Sequence, residues 1–163
     1  MPAPIEGRWI AAFVDVLQRC GVQRGDACAV VSESQSRPVL PQLAALALQQ
    51  IGARHFEITV PSPALAAPVP VRSTGASAAL AGQAAVVQAL SRCALVVDCS
   101  VEGLQHAAEL PQILAGGARV LVVSNEHPEI LERCLPRAED EADTRKNRHH
   151  LSHRVHCAPT YAA

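Results

Sequence analysis

Apolar and polar positions along the chain switch repeatedly between a helical period and short, unbroken apolar runs. Trp9, Ile10, Phe13, Val14 and Leu17 fall at spacings of one, three and four and stop at Cys20-Gly21, which predicts an opening amphipathic helix. Ala27 to Val31 is a short run rich in β-branched residues, closed by Ser32-Glu33-Ser34, and reads as a buried strand. Pro38 is suited to start a helix that Leu40, Leu43, Leu46, Leu48 and Ile51 carry to a stop at Gly52. Phe56 to Val60 then reads as a second strand. Prolines 61, 63, 68 and 70 rule out a regular helix or central strand between Pro61 and Gly75, leaving a loop. Leu80 to Leu90 predicts a helix, Ala94 to Asp98 a third strand, and His106 to Leu114 another helix with Pro111 in its first turns. Arg119 to Val123 predicts a fourth strand, and Pro128 to Leu135 a last helix with Asn125 as its cap.

Fully apolar strands alternating with helices are the signature of parallel βαβ units, whose helices cover both faces of the sheet. The expected fold is therefore α/β: an open, mostly parallel, doubly wound sheet of about four strands. Residues 1–136 carry this pattern. Residues 137–163 do not: an acidic block runs into a basic one holding four of the seven histidines, with no recognisable strand. They read as a charged, His-rich tail, either poorly ordered or departing from the register of the domain before it.

With 163 residues the chain is the size of one domain, and 49% apolar against 18% charged residues exclude a mainly disordered one. A net charge of -1 supplies no field to gather polyanions, and four aromatic residues offer little for stacking on bases, so nucleic acid is excluded as a main partner. The longest uncharged stretch, Ser73 to Ser91, is broken by Ser, Thr, Gly and Gln and does not read as a membrane span. Glu6 stands where a secretory leader would be basic, which makes the cytoplasm the expected compartment. The six cysteines include no CxxC pair, so they are expected as buried thiols rather than as disulfides or zinc ligands.

Candidate chemistry sits where the strands end. The stretch Val101 to His106 follows the third strand, and Asp98, Glu102 and His106 together would make a carboxylate-tuned imidazole for acid/base work. The structural alternative has Asp98 capping a loop and His106 opening a helix. Arg72, Ser73, Thr74 and Ser77 precede a helix and suit either an anion site or ordinary capping, and no phosphate-binding glycine motif accompanies them. His127, between Glu126 and Glu129, is a ligand or base on one reading and part of a helix cap on the other. The tail array His149, His150, His153, His156 and Cys157 has metal-binding side chains but no scaffold resembling a known site.

The stretches CGVQRGD, ITVPSP, RSTGAS, VVDCSVEGLQHA and SNEHPEILERCLP, in this order over residues 9 to 136, resemble the N-terminal half of the 2,5-dihydroxypyridine 5,6-dioxygenases, a family related to leucyl aminopeptidase T-like metallopeptidases. The resemblance implies ring opening of an N-heterocyclic diol at a non-haem Fe(II), with an α/β domain closing over a second domain that holds the metal. His106 then corresponds to the acid/base that takes a proton from a substrate hydroxyl, and Glu102, Arg72 and Ser73 become substrate contacts. The family's iron ligands belong to a second half that these residues do not match, so no metal ligand is assigned and the chain is expected to be inactive alone. Its expected partners are a small aromatic N-heterocycle, once that half completes the site, and a second copy of the chain. The alternatives are the N-terminal domain of a metallopeptidase relative and a non-catalytic remnant. The histidine of VEGLQH favours the dioxygenase.

Overall fold

In the computed structural model, the residues described are 4–64, 75–133 and the backbone of 155–158. Helix α1 (Gly7–Arg19) precedes strand β1 (Ala27–Glu33), α2 (Val39–Ile51) and β2 (Arg54–Val60). Helix α3 (Ala84–Leu90), β3 (Leu95–Cys99), α4 (Leu110–Ala115), β4 (Arg119–Val123), α5 (Pro128–Arg133) and β5 (Val155–Ala158) complete the order. The sheet runs β2-β1-β3-β4-β5. The first four strands are parallel, and β5 pairs antiparallel with β4, Val123 opposite Val155.

Two apolar layers enclose the sheet because strand side chains alternate between its faces. Cys28 and Val30 of β1, Leu95 and Val97 of β3 and Leu121 and Val123 of β4 pack against Phe13 and Leu17 of α1, Leu43 and Leu48 of α2 and Leu131 of α5. On the other face Ala29, Val31, Val96 and Val120 meet Val87 and Leu90 of α3 and Ile113 of α4. The expected architecture, an open and mostly parallel sheet with helices on both faces, is the observed one.

Three local expectations change. The helix read from Leu80 begins at Ala84, after a turn. The helix read from His106 begins at Leu110, because Gly103, Leu104 and His106 are drawn into hydrogen bonds with Ser77, Asp98 and Gly75. A strand also forms at Val155–Ala158, where none was legible: four residues carry too little alternation, and an edge strand is recruited by the open backbone groups of its neighbour more than by its own side chains. The rest of the tail, residues 137–154 and 159–163, lies outside the described residues, as do Cys134 and the His149, His150 and His153 array.

Cys20, Cys28, Cys93 and Cys99 are free thiols and buried. Burial pushes Cys28 up to about 11 and raises Cys93 and Cys99, so at pH 8 these three remain protonated and shielded. Iodoacetamide at that pH is expected to label none of the three until the chain is unfolded. Peptide mass mapping checks this, and rapid native labelling of Cys28 would contradict the packing.

Candidate active site

In an open α/β sheet the ligand crevice lies beyond the carboxyl ends of the strands, where the strand order reverses. In this sheet the reversal falls between β1 and β3. Glu33 ends β1 and Asp98 stands one residue before the end of β3. Val31 is paired with Asp98, and the alternation along each strand puts Asp98 and Glu33 on the face shared by Val31 and Val96. Both carboxyls are removed from solvent, Glu33 at 4% and Asp98 at 0% exposure.

A buried carboxylate persists only where donors meet it. Asp98 Oδ1 accepts from the Ser100 backbone N–H at 2.9 Å and Oδ2 from that of Leu104 at 2.6 Å. Burial nevertheless raises the Asp98 pKa above its ordinary value: desolvation is the largest cause, and the nearby Glu33 charge adds to it, against the Ser100 and Leu104 hydrogen bonds. Ser100 Oγ is buried and meets no hydrogen-bond partner of normal geometry among the described residues, so its side chain acts on Asp98 as a nearby dipole. Asp98 thus ties down the loop after β3, the structural alternative of the two sequence readings, and neither of these bonds reaches His106.

His106 lies in a turn of that loop with its side chain exposed, and Glu102 is part-buried. The loop is stitched to residues 75–77. Gly75 N donates to Glu102 O at 2.8 Å, Ser77 N to Gly103 O at 2.8 Å, and His106 N to Gly75 O at 2.5 Å. Two glycines make this approach feasible. Gly75 has φ +72°, and a Cβ there would come within 3.2 Å of His106 Cδ2 and 3.3 Å of Gln105 Cβ. Gly103 has φ +78°, and a Cβ there would meet Val122 Cγ1 at 3.1 Å. Ser77 anchors the segment: its Oγ donates to Glu33 Oε1 at 2.7 Å and accepts from Ala79 N at 3.1 Å.

Of the residues singled out from sequence, Glu102 and His106 therefore share the loop that Asp98 holds from the end of β3, and Ser77 joins them. Arg72 and Ser73 lie outside the described residues. His127 takes the capping role: its Nδ1 accepts from Glu129 N at 3.3 Å, and its ring meets Trp9 edge-on at 5.3 Å between centroids. Asn125 does not cap α5. Its Oδ1 accepts from Arg37 N at 2.8 Å, across the carboxyl edge of the sheet. Glu33 is not among the residues the sequence pointed to. Ser32-Glu33-Ser34 looked like the polar end of a strand, and only the strand order turns a strand end into a crevice wall.

Iron is the metal that the resemblance implies, and the described residues do not fit it. Among them no group of three or more His, Cys, Asp or Glu side chains is placed to hold a metal ion, and Asp98 spends both oxygens on backbone donors.

Residues 8–157 match the family NicX: 2,5-dihydroxypyridine 5,6-dioxygenase. The structure of the 2,5-dihydroxypyridine dioxygenase from Pseudomonas putida KT2440 superposes with a TM-score of 0.73 at 30% identity, over 85% of this chain and 40% of that one. This chain therefore spans about two fifths of that relative's length. Klebsiella oxytoca NpsA in complex with 3-hydroxyanthranilyl-AMSN also matches, with 18% identity and a TM-score of 0.37 over 65% of this chain and 19% of that one, a likeness too slight to bear on function. No curated protein sequence matches. Neither of these two matches links the chain to aminopeptidase T-like metallopeptidases. The chain belongs to the NicX family of 2,5-dihydroxypyridine 5,6-dioxygenases.

Proposed function

We propose that this chain is the N-terminal α/β part of a ring-cleaving dioxygenase acting on 2,5-dihydroxypyridine-like N-heterocyclic diols. The observation that carries this reading is the family match over residues 8–157, on a fold whose carboxyl edge bears an exposed imidazole. In this reading residues 1–136 form one wall of the substrate site, and the charged stretch after them leads back to the sheet at β5. His106 removes a proton from a ring hydroxyl, work that suits an imidazole near pH 7. Glu102, together with Arg72 and Ser73, contacts the substrate. Fe(II), in this family, supplies the centre for oxygen chemistry, and its ligands come from residues other than those described here. The site works in the cytoplasm, a setting that suits four free buried thiols. No helix among the described residues is long and apolar enough to cross a membrane.

On this reading the 163-residue chain supplied with Fe(II) alone turns over no substrate. A chimera in which it replaces the matching part of the Pseudomonas putida enzyme is expected to open the ring of 2,5-dihydroxypyridine with oxygen uptake. A folded chimera that carries its full iron complement, binds the diol and opens no ring would overturn the proposal.

A further inference from the structure

An exposed imidazole on an irregular loop has no fixed direction unless its backbone is held, and proton transfer demands that direction. His106 owes its hold to residues 75–77, which are themselves irregular. That segment gains a buried footing in the hydrogen bond from Ser77 Oγ to Glu33 Oε1 at 2.7 Å. Glu33 is in turn the last residue of the central strand β1, paired with Val60 on one side, and its N–H donates to Ser36 Oγ at 2.7 Å. A chain of hydrogen bonds thus runs from Glu33 to Ser77, from Ser77 N to Gly103 O, from Gly75 N to Glu102 O and from His106 N to Gly75 O. Asp98 holds Ser100 and Leu104 of the same loop independently, from within the core.

We propose that Glu33 and Ser77 are positioning residues for His106, fixing the strap of residues 75–77 against which the VEGLQH loop is registered. The inference rests on the reading of His106 as the acid/base, but its first test does not. A bare structural role would make Ser77 one more buried hydrogen bond, whose loss loosens the whole edge of the sheet. A positioning role localises the loss to the strap and to His106.

Amide hydrogen exchange on the 163-residue chain makes that distinction. Ser77→Ala is expected to speed exchange at Ser77 and His106 by tenfold or more while Leu104, held by Asp98, and the amides of β3 keep their rates. Glu33→Gln retains an acceptor oxygen and is expected to preserve protection. Glu33→Met removes the acceptor at similar volume and is expected to reproduce the Ser77→Ala pattern, which provides a second route should one variant fold poorly. Unchanged protection at His106 in both Ser77→Ala and Glu33→Met, or an equal rise across β3, overturns the proposal. In the active chimera Ser77→Ala is expected to lower kcat by about tenfold to a hundredfold with KM and bound iron unchanged, and Glu33→Gln to retain kcat. If kcat withstands both Ser77→Ala and His106→Ala, the acid/base reading fails, while selective loosening of the His106 amide still upholds the strap.

Discussion

Replacing His106 by alanine in the active chimera is expected to cut kcat by ~10²–10⁴-fold, the usual contribution of a positioned acid/base, with iron content and thermal midpoint nearly unchanged. The expectation of an intact fold follows from the geometry. The hold on the loop runs through the His106 backbone N–H to Gly75 O, and alanine keeps that N–H. The exposed imidazole buries little on folding, so its removal costs about 0.5 kcal/mol or less. Turnover, bound iron and midpoint measured on one preparation separate the outcomes. Normal turnover with a lowered midpoint would make VEGLQH a scaffold and remove the main residue-level reason for reading this domain as part of a dioxygenase.

Removing the Asp98 side chain acts on the fold instead. Asp98→Ala leaves the Ser100 and Leu104 N–H groups without acceptors in a buried setting, and at about 1–3 kcal/mol for each such group the loss is about 2–6 kcal/mol. Asp98→Asn offers one acceptor oxygen to two donors, so it loses less. The pH dependence has a definite sign. Because burial raises the folded-state pKa of Asp98 above its ordinary 3.8, the folded chain keeps that proton to higher pH than the unfolded chain. The stabilisation from the retained proton is complete below about pH 3.8, declines as pH rises, and is gone once pH passes the folded value. Urea midpoints of wild type and Asp98→Asn across this range should therefore converge or cross as pH rises from 4. A difference constant with pH would show that the Asp98 carboxyl is not held above its ordinary range.

The helical stripe Trp9, Phe13 and Leu17 is buried as its spacing requires, and the apolar runs at β1, β3 and β4 are the centre of the sheet. Both were legible because burying an apolar face is a local demand that leaves a period in the chain. The place of the His106 loop was legible for a related reason, since a polar loop directly after a buried strand already marks the edge where ligands bind. Its roles and bonds were less visible. Helix-favouring residues after Gln105 suggested a helix from His106, but the bonds from Leu104 N to Asp98 and from His106 N to Gly75 hold those residues in a turn, and α4 waits until Leu110. Asn125 stood at a cap position and instead serves Arg37, far away in the chain.

The order and kind of the elements in residues 4–133 follow from the sequence by itself, because periodicity, turn residues and helix stops act over a few residues at a time. The partnership of Glu33 with Ser77, the strap at Gly75, the solvent-free setting of Asp98 and the pairing of β5 with β4 belong to the tertiary structure alone. Each joins residues whose separation along the chain has no pattern. The first three exist only once the strand order β2-β1-β3-β4 has set the ends of β1 and β3 side by side, where a buried carboxylate must find its donors among whatever backbone the fold delivers, and the last needs β4 at the edge of that order with its backbone groups open.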